Sequence, residues 1–96
     1  MLFTKYLRDG VRSGAITRSV RVWMTPRVGA GRRYKFEEGE IEIDSIVPIT
    51  LEQITSRLAR ECGFASVADL LKVARHGRGE NVYLVEFHYI APKSGR

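Results

Sequence analysis

Hydrophobic and polar residues alternate most regularly between Gly39 and Ile49, in the segment GEIEIDSIVPI. In an extended chain, Ile41 and Ile43 fall on one side and the acidic residues between them fall on the other. A strand with one buried face and one solvated face has this period of two. We therefore predict a strand whose isoleucines point into the core.

Three other segments have the composition of strands. TRSVRVW is predicted to be the first strand, with Val20 and Val22 on one face and Ser19, Arg21 and Trp23 on the other. A loop rich in glycine follows it, and RRYKFEE is predicted to be the second strand. The last segment, NVYLVEFHYI, is almost entirely β-branched or aromatic, which is typical of a central strand.

Helices are predicted where the hydrophobic period changes to 3.6 residues and capping residues stand at the ends. The segment TKYLRDGVRSG suits a short helix that ends at Gly14. Thr50 and Gln53 form a capping-box pattern that predicts a second helix, which Gly63 would end. Ser66 would cap a third helix in SVADLLKVARHG.

The predicted order is one helix, three strands, two helices and a final strand. This order predicts an α+β domain with a small, mixed or antiparallel β-barrel that is partly closed. A chain of 96 residues, 44% of them hydrophobic, has room for one core. We expect residues 1–96 to form a single domain, with a loose tail at 91–96.

Hydropathy and cysteine content narrow the class of protein further. No apolar run approaches the roughly 18–20 residues of a membrane span, and the charged N-terminal segment is unlike a secretory signal. We therefore expect no membrane partner and a cytoplasmic location. The single cysteine, Cys62, has no partner for an internal disulfide and is expected to be a small buried helix residue.

A formal net charge of +5 and a pI near 9.8 indicate an anionic partner, of which nucleic acid is the commonest. Residues 1–35 carry nine lysines and arginines and one acid, whereas residues 36–61 carry seven acids and two arginines. This distribution predicts a basic face and an acidic face, unless the fold interleaves the two segments.

Several short motifs resemble the ASCH domain family (activating signal cointegrator homology), whose fold is PUA-like. They are TRSVRVW after Gly14, the glycine loop before RRYKF, the helices in ARECGFASVADLLK, and VYLVEFHYI. The resemblance covers nearly the whole chain. The family signature is a glycine, a lysine two places on, an acidic or hydroxyl residue, and an arginine two places beyond that. Gly14, Ser19 and Arg21 fit it, but Ile16 stands at the lysine position.

The resemblance also implies candidate catalytic residues. Bacterial amidohydrolases that this chain resembles remove the acetyl group of N4-acetylcytidine with a lysine, a threonine and a glutamate. Ser19 corresponds to the threonine and Glu61 to the glutamate, with Cys62 as a competing assignment for the glutamate. A lysine with a lowered pKa can deprotonate a hydroxyl nucleophile, whereas Ile16 cannot. We therefore favour a binding module, and an amidohydrolase or single-stranded-RNA ribonuclease that uses Ser19 and Glu61 is the alternative.

The binding hypothesis centres on Arg21 and Trp23, which share a strand face with Ser19 and could grip a phosphate and stack on a base. The other interpretation is a tryptophan that caps the barrel end beside a solvated arginine. Further arginines predicted to contact nucleic acid are Arg18, Arg27, Arg32, Arg33 and Arg78. RNA or a modified nucleoside would lie in a basic cleft between the barrel and the inserted helices, and Glu61 would also line this cleft.

No cofactor and no metal are expected. The GAGRR loop lacks the P-loop pattern, and the exposed acids Glu40, Glu42 and Asp44 are expected to have no histidine nearby. His76 is expected to end a helix or to contact phosphate, and His88 is expected to lie on the surface of the sheet.

Overall fold

A computed structural model describes residues 3–74 and 80–92 of the chain, which fold into an α+β arrangement of helices around one sheet. The helical elements are a 3₁₀ turn at Lys5–Leu7, α1 at Arg8–Ser13, a 3₁₀ turn at Leu51–Gln53, α2 at Ser56–Glu61 and α3 at Val67–Ala74. The strands are β1 at Arg18–Trp23, β2 at Arg33–Phe36, β3 at Gly39–Ile49 and β4 at Asn81–Ile90. Within these ranges, every helix is too short or too polar to cross a bilayer.

The four strands form one antiparallel sheet in the order β1-β4-β3-β2. The last strand in sequence is therefore central, as its composition predicts. β2 is only four residues long and pairs with β3 alone, so the described residues leave β1 and β2 as open edges. The four-stranded α+β fold is confirmed, but the closed or partly closed barrel is not.

Two threonines divide the region predicted to be the second helix. Gln53 Oε1 accepts a hydrogen bond from Thr50 N at 2.8 Å, as the capping pattern predicts, but this contact closes only a 3₁₀ turn. Ile54 is extended, with φ −85° and ψ 98°, and Thr55 Oγ1 accepts from Leu58 N at 3.1 Å to begin α2. The prediction of one helix from Thr50 is wrong because Thr55 supplies a second N-cap.

Two glycines in the left-handed conformation end the first two α-helices, as predicted. Gly14, with φ 83°, is the C-cap of α1, and Gly63, with φ 94°, follows α2. A Cβ on Gly63 would lie 2.5 Å from Leu7 Cδ2 and 2.8 Å from Ile16 Cδ1. Gly63 therefore permits both the turn and the close contact between the end of α2 and the N-terminal segment.

Hydrophobic clusters cover β1 on both faces. Val20 and Val22 pack in one cluster with residues of the inserted helices, which include Leu70 and Ala74. Trp23 packs in the other cluster with Phe3 and other residues of the N-terminal segment. The predicted alternation of β1 is thus correct, but its Ser19 face is not a solvated surface.

The basic and acidic segments of the sequence are interleaved by the fold. Three ion pairs join the first segment to the second: Arg12 to Glu38 at 3.2 Å, Arg18 to Glu61 at 3.3 Å, and Arg33 to Glu42 at 2.9 Å. At these places the predicted separation into a basic face and an acidic face does not occur, because distant strands and helices bring opposite charges together.

Candidate functional site

A cavity of about 180 Å³ opens where the edge strand β1 meets the N-terminal segment and the inserted helices. We call it the β1 cavity. Its lining residues are Phe3, Thr4, Leu7, Ser19, Val20, Arg21, Cys62, Phe64, Val73 and Ala74. Most of these side chains are apolar, so the few polar groups would orient any molecule that enters.

The strongest polar group in the β1 cavity is the guanidinium of Arg21, which is 7% exposed. Its Nε donates a hydrogen bond to Ser19 Oγ at 2.8 Å, and its Cζ lies 4.9 Å from the ring centroid of Phe3, within cation–π range. Burial lowers the pKa of Arg21 to about 10, so the side chain is still protonated at neutral pH. The cavity therefore carries a fixed, partly desolvated positive charge.

Thr4 also lines the β1 cavity. Its Oγ1 is buried and makes no hydrogen bond among the described residues. Buried polar atoms are almost always satisfied, and one left unsatisfied costs about 1–3 kcal/mol. Thr4 Oγ1 is thus an unsatisfied oxygen behind the cavity wall, which a ligand would reach only after a movement of the Thr4 side chain.

Cys62, and not Glu61, lies at the β1 cavity beside Ser19. The thiol is buried, and burial raises its pKa to about 11, so it is neutral at physiological pH. A thiol of this kind is a poor nucleophile and a poor base. Cys62 therefore contributes shape to the cavity and no evident chemistry.

Glu61 belongs to a separate charged cluster. Its carboxylate contacts Arg18 Nη1 at 3.3 Å and Arg57 Nε at 3.7 Å, and Arg18 Nε donates to Glu86 Oε2 at 3.1 Å. Successive residues of a strand point to opposite faces, so Arg18 and its partners lie away from Ser19. The structure does not bring the two candidate catalytic residues, Ser19 and Glu61, together.

Trp23 is 5% exposed and packs in the core, with its ring centroid 6.1 Å from that of Tyr83. In this conformation the indole has no open face on which a base could stack. Arg21 is also buried, so it is not the solvated arginine of the other interpretation. The pair therefore matches neither description, because the N-terminal segment covers this face of β1.

The remaining predicted contacts with nucleic acid lie elsewhere. Arg27 and Arg32 are exposed in the loop before β2, and Arg33 pairs with Glu42; these three residues do not line the β1 cavity. Arg78 and His76 are outside the described residues. The structure thus assembles Ser19 and Arg21 in one cavity, and the other predicted arginines among the described residues lie apart from it.

A second group of polar side chains lies on the other part of the sheet. Glu42 on β3 pairs in register with His88 on β4, and His88 Nδ1 is 2.9 Å from Asp44 Oδ1. The expectation of no histidine near these acids is therefore wrong, because strand pairing joins positions 44 residues apart in sequence. His88 does lie on the sheet surface, as predicted.

Fold and site together define a small α+β protein with a buried cationic group in an apolar cavity. No protein-family model, no curated protein and no solved structure matches this chain. Sequence reasoning identified Ser19 and Arg21 but missed Thr4 and Phe3, which reach the cavity only through tertiary packing of the N-terminal segment.

Proposed function

We propose that the protein is a binding module for RNA or a modified nucleoside and that one base enters the β1 cavity. The observation that carries this proposal is the buried Arg21 guanidinium within largely apolar walls. The volume of about 180 Å³ is below the roughly 300–1,000 Å³ of sites for drug-sized ligands, so it suits one ring system. Proteins that recognise RNA commonly hold single unstacked bases in such pockets.

The lining residues supply both kinds of contact that a base requires. Phe3, Leu7 and Phe64 offer apolar surface to the ring. Arg21 would donate to a carbonyl oxygen on the base edge. After a movement of its side chain, Thr4 Oγ1 would gain the hydrogen bond that it lacks among the described residues. Burying these polar groups against a matched base would give selectivity, since a poorly matched base would leave them unpaired.

Phosphates would be held outside the cavity. Lys5 and Lys72 are exposed and adjoin the lining residues Thr4 and Val73 in sequence. The exposed loop arginines Arg27 and Arg32 would add further contacts along a strand of RNA. Such contacts release counterions, so binding should weaken as salt increases.

The proposal includes membership of the ASCH family and its PUA-like fold. It is supported by the position of Gly14 after α1 and by the meeting of Ser19 and Arg21 at one cavity. Ile16, at the family's lysine position, packs so closely that a Cβ on Gly10 would lie 2.6 Å from its Cδ1. We do not extend the proposal to hydrolysis, because Glu61 is paired with arginines elsewhere and Ile16 carries no base.

The test is fluorescence anisotropy with labelled single-stranded RNA, together with calorimetry on cytidine and N4-acetylcytidine. We expect Arg21→Met to weaken binding at least tenfold and Ser19→Ala to weaken it several-fold. Arg60→Met is the matched control, since Arg60 is an exposed arginine of α2 and its loss removes the same charge. Circular dichroism checks that each variant folds.

Two results would overturn the proposal. If Arg21→Met and Arg60→Met weaken RNA binding equally while Ser19→Ala has no effect, net charge and not the β1 cavity is responsible. If the affinity for RNA is unchanged between about 50 and 200 mM salt, phosphate contacts do not contribute.

A further inference from the structure

On the surface of β3 and β4, one histidine and two carboxylates lie side by side. One ligand atom from each of Glu42, Asp44 and His88 falls within 4.8 Å of the other two. All three side chains are partly exposed, with exposed fractions between 29% and 47%. Imidazole nitrogen and carboxylate oxygen are the donors that zinc and related divalent ions take from proteins.

An irregularity in the strand pairing positions Asp44. Ile43 pairs with Phe87 and Ser45 with Glu86, so Asp44 is an extra residue opposite β4. A β-bulge of this kind redirects a side chain, and here the carboxylate of Asp44 lies against the imidazole of His88. An ionised carboxylate can only accept, so Nδ1 of His88 carries a proton and donates a hydrogen bond to Asp44 Oδ1 over 2.9 Å.

Nε2, the other ring nitrogen of His88, lies 4.0 Å from Glu42 Oε2, and it offers a lone pair to a metal ion whenever it carries no proton. The other oxygen of Glu42, Oε1, accepts a hydrogen bond from Arg33 Nε at 2.9 Å. His88 Nε2 and Glu42 Oε2 therefore face each other, while the second polar atom of each side chain is fixed by a hydrogen bond, to Asp44 and from Arg33 respectively. Metal-ligating histidines and carboxylates are typically held in this way by outer carboxylates and hydrogen-bond donors.

We propose that His88 Nε2 and Glu42 Oε2 bind a divalent transition-metal ion such as zinc, with Asp44 and Arg33 as positioning residues. Zinc bonds to nitrogen and oxygen are about 2.0–2.2 Å long, so an ion between atoms 4.0 Å apart needs only a small closing movement. Exposed side chains can make this movement, and water would complete the coordination. The hydrogen bonds to Asp44 and Arg33 need not break.

The scaffold beneath the site favours a defined geometry. Glu42 and His88 are directly paired across neighbouring strands, and β4 is central in the sheet. Ile43 and Phe87, which alternate with the ligands, are 0% and 1% exposed. Ligands on well-packed strands are held more precisely than ligands on loops.

The experiment is titration of the whole protein with zinc chloride, followed by calorimetry and by the ring-proton signals of His88 in NMR spectra. We expect one ion per chain, with Glu42→Gln and His88→Gln each weakening binding more than tenfold. Asp44→Ala should weaken it by about ten- to a hundredfold, as loss of an outer partner does elsewhere, while Asp44→Asn, which can still accept from Nδ1, should retain more affinity.

Two matched controls keep the test specific. Glu40→Gln removes the same charge two residues away on β3, and His76→Gln removes the other histidine of the chain; both variants should bind zinc as the unmodified protein does. The proposal is overturned if zinc does not bind at millimolar concentration, if a control variant loses as much affinity as Glu42→Gln, or if Asp44→Ala binds normally. Unchanged circular dichroism in Glu42→Gln and His88→Gln excludes misfolding as the cause of lost binding.

Discussion

Replacing Thr4 by valine should stabilise the free protein and weaken ligand binding at the same time. Thr4 Oγ1 is buried in the wall of the β1 cavity without a hydrogen-bond partner among the described residues. Valine has nearly the same shape but replaces the hydroxyl by a methyl group, which is favoured in a mostly apolar cavity wall. The substitution therefore removes an unsatisfied polar group without opening a space.

The expected change in the free energy of unfolding follows from the unsatisfied state of Thr4 Oγ1. A buried, unsatisfied polar group costs about 1–3 kcal/mol, so Thr4→Val should raise the free energy of unfolding by about 1–2 kcal/mol. For a domain of this length, each kcal/mol shifts the melting temperature by about 4–8 °C. A base that bonds to Thr4 Oγ1 would lose that bond in the variant, so affinity should fall about fivefold for a loss of about 1 kcal/mol.

Thermal and urea unfolding, followed by circular dichroism, measure the first effect, and anisotropy with labelled RNA measures the second. Thr25→Val is the control, because Thr25 is exposed in the loop after β1 and the change should stay within about 0.5 kcal/mol. A Thr4→Val variant less stable than the unmodified protein would show that the hydroxyl is already satisfied, for example by a bound water. Greater stability with unchanged affinity would remove Thr4 from the ligand site.

Two further substitutions or modifications test the packing around the cavity. Gly63→Ala should destabilise the protein by about 1–3 kcal/mol from its positive φ alone, and by more because the new Cβ would lie 2.5 Å from Leu7 Cδ2. Gly14→Ala is the control for the backbone effect, because Gly14 has φ 83° and open space around it. Equal melting temperatures of the two variants would contradict the clash at Gly63. Alkylation of Cys62 by iodoacetamide should stay slow until pH approaches 11 in the folded protein but begin near pH 8.5 in denaturant. The raised pKa also implies stability that is present below the ordinary thiol pKa and is lost as pH rises towards 11; equal alkylation rates at pH 8 would refute the burial argument.

The predictions that proved correct rest on local signals. Ile41 and Ile43 are fully buried and Glu40 is exposed, because one face of β3 packs on the core. The alternation of hydrophobic and polar residues in the sequence has the same period of two as the side chains of a strand. Gly14 and Gly63 end helices with a positive φ, which glycine adopts without steric cost because it has no Cβ. Barrel closure has no comparable local signal, since it depends on pairing between edge strands whose lengths and curvature arise in the folded sheet.

The site was predictable only in part, for the same physical reason. The two-residue spacing of Ser19 and Arg21 places them on one face of any strand, and the structure confirms this placement, with a hydrogen bond from Arg21 Nε to Ser19 Oγ. Glu61 and Cys62 are neighbours at the end of a helix, where one residue turns the side chain by about 100°. The phase of that helix against β1 decides which of them reaches the cavity, and the sequence does not specify this phase.

The position of the cavity at an edge strand explains why residues from both faces of β1 line it. Ser19 and Arg21 point towards the N-terminal segment and Val20 towards the inserted helices, yet all three border the same space because the sheet ends there. An edge strand also presents backbone groups with no neighbouring strand. The backbone of Val20 lowers the pKa of the Cys62 thiol, which indicates that the thiol lies near this edge. A base in the cavity would therefore meet side chains on both sides and a strand edge behind them, which is a more selective environment than the exposed strand face suggested by the sequence.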